Sequence, residues 1–364
     1  MNSTTLKWLA VATGGLVLLL LVVNISERSD TVSGGEILLP GLKDRINDIS
    51  EISITGAGQE TVTVVREGER WSVREKNGFA ANVGKLREVL LALADARRLE
   101  QKTANPERFS QLGLEGPDGG SGTLLKIGGE NLQYDLIVGN VAQSKNRYVR
   151  LADENQTWLI DQNPDLPDGA SGWLSTDLLD IDAARIQSVS IRHEDGETIR
   201  LEKASQDDAN FTVEAIPDGR ELTYATVANG IGGVLNDLKL EDVRRSDAGE
   251  LISTSVYATF DGLELTLRRF SDGDASWFSI AAEFLLPESA EKESDAMDKS
   301  DESASDITDD VAIDDTSDES DSAVSPVQEA SAIRTQHAGW QYQLPQYKAN
   351  LLARRWEDIL KPEE

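Results

Sequence analysis

Two stretches of the chain repeat one pattern of apolar and polar positions. Residues 49–54 read ISEISI and residues 186–191 read IQSVSI. In each, alternating apolar positions (Ile52 and Ile54; Val189 and Ile191) predict a strand with one buried face. A second strand follows each one, 61–65 (TVTVV) and 197–201 (ETIRL). An aromatic then opens a third, Trp71-Ser72-Val73 in the first stretch and Phe211-Thr212-Val213 in the second. The pattern next changes from period two to helical spacing. Val83, Leu86, Val89, Leu90, Leu93 and Ala96 predict one helix, and Tyr224, Val227, Ile231, Val234, Leu235 and Leu238 predict its counterpart. Gly230, Gly232 and Gly233 weaken the second helix by about 1 kcal/mol each relative to Ala, and they suit close packing against a sheet.

Strands return after each helix, at 123–127, 134–138, 147–151 and 157–160, then at 256–260, 263–268, 277–282 and 340–344. Each copy is expected to close on a short aromatic-bearing helix, 172–179 and 351–360. Trp158 and Trp173 share nearly the same separation as Trp340 and Trp356, which supports duplication. The expected fold class is therefore α+β, with two tandem antiparallel-sheet-plus-helix units, 45–181 and 182–286 with 336–362.

Two other segments have different patterns. Residues 8–23 (WLAVATGGLVLLLLVV) carry no charge and would span roughly 24 Å as a helix. With Lys7 and interfacial Trp8 before them and no A-x-A site after them, they predict a transmembrane anchor within 1–25, joined by a linker at 26–44. The flanking charges place the N-terminus in the cytoplasm and the rest in the periplasm, on the outer face of the inner membrane. Residues 288–321 hold fifteen acidic side chains, two lysines and no aromatic. Such a run buries too little apolar area to offset its ordering entropy. The repeat places it, as a disordered insertion over 287–335, between two strands of the second unit.

Composition narrows the chemistry. The 364 residues carry a net charge of -30, which opposes nucleic-acid binding. Cysteine is absent and only His193 and His337 are available. Both histidines read as exposed, one beside a turn and one at the end of the acidic run. The acidic stretches 306–310 and 314–318 lack the twelve-residue calcium-loop pattern. No hydrolase, zinc-protease or phosphate-loop motif stands out, and Gly-rich 117–122 reads as a turn. No catalytic, cofactor-binding or metal-ligating residue is assigned, and the expectation is a chain that is not an enzyme.

Four features together resemble a known family. They are Trp71-Ser72-Val73, the helix carrying Leu86, Leu90 and Leu93, the run 109–117 (FSQLGLEGP), and Ile137-Val138-Gly139-Asn140 leading to Arg147-Tyr148-Val149-Arg150. The run is similar to a tyrosine-Gly-Leu-x-x-Pro signature, with Leu112 in place of the aromatic. The set resembles the bacterial DUF4340 family, whose members often carry one N-terminal spanning helix and tandem units. The resemblance implies an extracytoplasmic auxiliary subunit of an ABC-type transport system, acting as scaffold or binding module. Its implied partners are an ABC permease and a GldG-like subunit, and it brings no catalytic residues. The alternative is an envelope structural or polymer-binding protein that uses Trp71, Trp158, Trp173, Trp277, Trp340 and Trp356, although their matched positions favour core roles.

Overall fold

The computed structural model describes residues 35–142, 145–245, 248–285 and 325–362. The chain divides into two compact units, one holding most of 35–66 and 84–169, the other 67–83 and the described residues from 170 onward.

The strands of the first half, in chain order, are β1 (Ile49–Thr55), β2 (Val62–Glu67), β3 (Arg70–Val73), β4 (Phe79–Ala80), β5 (Arg98–Gln101), β6 (Thr123–Gly129), β7 (Leu132–Ala142), β8 (Asn146–Leu151) and β9 (Thr157–Ile160). Seven of them form the sheet of the first unit, in the order β2-β1-β6-β7-β8-β9-β5. Strands β3 and β4 pair with each other and are counted with the second unit. Helix α1 (Val83–Asp95) buries Leu86, Val89, Leu90 and Leu93, the face its spacing predicts. Leu93 is fully buried, a contribution of about 2 kcal/mol from its side chain alone.

The second unit holds β10 (Asp177–Leu179), β11 (Ile186–His193), β12 (Thr198–Glu202), β13 (Thr212–Glu214), β14 (Leu238–Lys239), β15 (Asp242–Arg244), β16 (Glu250–Thr259), β17 (Leu263–Asp272), β18 (Ala275–Phe284) and β19 (Gln341–Gln343). Eight of these follow the order β13-β12-β11-β16-β17-β18-β19-β15. Apart from the edge strand β13 this is the order of the first sheet: β12 stands where β2 does, β11 where β1 does, β16 to β19 where β6 to β9 do, and β15 where β5 does. The central strand carries the same irregularity in both, with a register shift between Ile49 and Glu51 and another between Ile186 and Ser188.

Three expectations are corrected. First, the architecture is mostly antiparallel β and not α+β. The predicted helix over 224–238 shrinks to a single turn, Asn229–Gly232, flanked by further turns. Of its predicted apolar positions Val227, Ile231, Val234, Leu235 and Leu238 are buried and only Tyr224 is exposed, so from 227 onward the spacing marks burial rather than helix. A Cβ on Gly232 would overlap the Phe211 ring, so this segment lies flush against its neighbour. The segment 172–179 is a 3-10 turn, Ser171–Trp173, followed by β10, which pairs with β14. Second, among the described residues no helix is long and apolar enough to cross a membrane. The apolar run 8–23, on which the sequence places a spanning helix, lies outside the described residues. Third, the end of the segment expected to be disordered is helical, as α2 (Pro326–His337). Ser325 caps it by accepting from Gln328 N at 3.4 Å, and Pro326 fits the first turn, where a missing N–H costs nothing. The rest of the acidic segment, 286–324, lies outside the described residues.

Helix α2 packs on β18 and β17. Arg185, just before β11, donates to Glu329 of α2 at 2.9 and 2.6 Å and to Asp261 at 3.0 Å. These carboxylates raise the Arg185 pKa further above its ordinary range. Helix α3 (Gln346–Leu352) then packs Ala349 and Leu352 inward. Near the end of the chain, Arg355 pairs with Asp195 at 2.6 Å and Glu197 at 2.7 Å, and Glu197 also accepts from Trp356 N.

Candidate functional site

Two of the four features that carry the family resemblance, the run 109–117 and the stretch from Ile137 to Arg150, meet at one place in the first unit. Phe109, Leu114 and Ile137 form a buried cluster, with Leu112, Leu124, Tyr148 and Ala152 packed around it. A short helix, Phe109–Leu112, ends at Gly113 with φ +68. Gly113 N donates to Ser110 O at 3.2 Å and Leu114 N to Phe109 O at 2.9 Å, a closure that needs a left-handed residue. A Cβ on Gly139 would overlap the Leu112 carbonyl oxygen and lie 2.8 Å from Leu114 Cδ2. The FSQLGL turn therefore rests on bare backbone at Gly139.

Two arginines of β8 hold this turn and the strand beneath it. The Arg150 guanidinium lies 4.9 Å over the Phe109 ring and donates to the carbonyls of Leu114, Leu151, Ala152 and Glu154 at 2.9 to 3.2 Å. Arg147 donates to Gly139 O at 2.9 Å and to Asn163 Oδ1 and Pro164 O. Burial pulls the pKa of both below the ordinary arginine value. All of these donors serve backbone carbonyls or one amide, so the cluster fastens the fold and offers no reacting group.

The histidines are buried, not exposed as the sequence suggests. His193 is 4% exposed, and its Nε2 donates to the Arg354 carbonyl at 2.9 Å. His337 is 2% exposed, with Nδ1 2.8 Å from the Tyr342 hydroxyl. Burial pushes its pKa down to about 4. A neutral His337 thus supports the fold above the ordinary histidine pKa of about 6.5, and that support fades as pH falls towards 4. The full shift corresponds to about 3 kcal/mol. Urea unfolding between pH 7 and pH 4 is expected to show a steeper loss of stability in the natural chain than in His337→Gln; parallel losses would contradict the assignment.

The second unit also buries two lysines. Lys203 donates to Ala183 O at 3.0 Å and sits 4.6 Å over the Phe211 ring. Lys348 donates to the carbonyls of Val234 and Asn236, both at 2.8 Å, and to Gly233 at 3.4 Å. Desolvation lowers its pKa. Among the six tryptophans of the alternative reading, Trp173, Trp277 and Trp340 are buried and Trp71, Trp158 and Trp356 half-buried.

An open polar cavity of about 500 Å³ lies in the second unit, lined by Arg269, Ser276, Gln343, Gln346, Glu241 and Asp274 among others. Arg269 is half-buried and donates to Ser276 Oγ at 3.1 and 3.3 Å. No sequence motif announces this cavity, because the pairing of β17 with β18 and the return of the chain at β19 bring its walls together. Among the described residues no group of three or more His, Cys, Asp or Glu side chains could hold a metal ion. The acidic stretches 306–310 and 314–318 lie outside those residues.

The geometry defines a mostly antiparallel β protein in which two sheets share one strand order and a glycine-arginine cluster fastens the first. The model of a family described as a domain of unknown function (DUF4340) matches residues 71–254, just over half of the chain, and the chain belongs to that family. No curated protein and no solved structure matches it significantly.

Proposed function

We propose that the chain is a noncatalytic, extracytoplasmic auxiliary subunit of an ABC-type transport system, acting as scaffold or binding module. The observation that carries this reading is the fate of the signature residues. Gly113, Gly139, Arg147 and Arg150 are used on one another and on nearby backbone, whereas a catalytic signature would converge on a cavity. What those residues fix is a local shape, and a fixed shape without a reacting group suits a binding or assembly role. The apolar run 8–23 would hold the chain at the inner membrane, with the β units in the periplasm. The proposed partners, an ABC permease and a GldG-like subunit, follow from the family resemblance.

Purification of the tagged, intact chain in mild detergent tests the reading. Components of an ABC system are expected to accompany it. Recovery of the chain with no such component contradicts it.

A further inference from the structure

In the second unit, α2 and the start of β19 leave a groove of about 350 Å³ over β17 and β18. Arg268 of β17 and Arg334 of α2 line it, together with Phe270, Ser279, His337 and Trp340. Among the described residues no acidic side chain lines it. That is notable in a chain with 65 acidic and 35 basic residues, where a random wall would include carboxylates. Three other arginines of this unit are neutralised: Arg185 by Glu329 and Asp261, Arg244 by Asp272, and Arg355 by Asp195 and Glu197. Arg268 and Arg334 are exposed and make no ion pair among the described residues. A third cation, Arg245, lies 4.3 Å over the Trp340 ring at the edge of the same wall.

Two features of this groove point to the same kind of ligand. Its rim carries two guanidiniums with no ion pair among the described residues, and such groups bind carboxylate or phosphate through parallel N–H donors. Its wall carries Phe270, Ala281 and the edge of Trp340, which favour an apolar body. A free inorganic anion would use the first feature alone and a neutral hydrocarbon the second alone.

We infer that this groove binds an amphipathic organic anion, with one acidic headgroup against Arg268 and Arg334 and an apolar body along Phe270 and Trp340. The inference is independent of whether the chain works with a transporter, because it rests only on the groove's own charge and surface.

Octanoate is a suitable probe below its micellar concentration. Isothermal titration of the full chain in nonionic detergent, against a detergent-only blank, is expected to show saturable binding. Acetate, which lacks the apolar body, and 1-octanol, which lacks the charge, are each expected to bind at least tenfold more weakly. The double variant Arg268→Gln, Arg334→Gln is expected to lose at least tenfold in octanoate affinity. Both side chains are exposed, so circular dichroism should show an unchanged fold. Phe270→Ser alone is expected to weaken octanoate and leave acetate unchanged. Octanoate binding no tighter than acetate, or equal affinity in a folded double variant, would overturn the inference.

Discussion

Replacing Gly139 with valine is expected to destabilise the first unit by about 4 kcal/mol, above the usual overpacking cost of roughly 1–3 kcal/mol because the added atoms meet backbone. The added Cβ meets the Leu112 carbonyl oxygen and the Leu114 side chain, and neither can retreat freely. Leu112 ends the helical turn that Gly113 closes, and Leu114 is fully buried beside Phe109 and Ile137. Moving the turn outward would also stretch the Arg150 bond to Leu114 O, 3.0 Å in the native fold. Valine adds two methyl groups to the same clash. The measurement is equilibrium urea unfolding, read as a lower midpoint with an unchanged slope. A valine variant within 1 kcal/mol of the natural chain would show that the turn is not seated on Gly139.

Lys348→Met is expected to cost a similar amount, about 4 kcal/mol, because it leaves the carbonyls of Val234 and Asn236 without a charged donor inside the protein. Methionine preserves the stem, so the loss reads the ammonium rather than the packing. Lys348 is 7% exposed, and water can replace it only in part. Its pKa is already lowered by desolvation, so the ammonium gives up hydration to sit there and is retained by the carbonyls it serves. Urea unfolding at pH 7 checks the size of the effect, and Lys348→Arg is expected to recover part of it. A fully stable methionine variant would mean that the 233–236 turn closes without this donor.

Lys348 also explains why the second half of the chain is less legible than the first. Val83 to Ala96 has helical spacing and few helix breakers, and a helix forms there. Val227 to Leu238 has the same spacing, but glycine occupies three of its positions, and the carbonyls a helix would satisfy from within are taken up by a lysine more than a hundred residues away. Periodicity reported the buried side chains from Val227 to Leu238, missed that Val83 and Tyr224 at the starts of the two runs are exposed, and could not report which donor serves the backbone. Strands were readable where one face is buried, as at Ile52 and Ile54 or Val189 and Ile191. The burial of His193 and His337 was not readable, because turn residues or acidic neighbours in sequence say nothing of what the fold lays over a ring. The groove was hidden for the same reason. Arg268 and Arg334 lie on separate elements with the acidic segment between them in sequence, and only the seat of α2 on β18 and β17 unites them. The signature run was visible as a motif, yet its meaning depended on Gly139 and Arg150, which come from two other strands.

The central claim is partnership with an ABC transport system, and in-membrane crosslinking tests it most directly. Cells carrying the tagged, intact chain would be crosslinked before solubilisation, and the purified adducts identified by mass spectrometry against an untagged control. The account predicts adducts with an ABC permease or a GldG-like subunit, enriched well above that control. A chain that crosslinks efficiently to itself or to other envelope proteins, with no ABC component among its adducts, would contradict it.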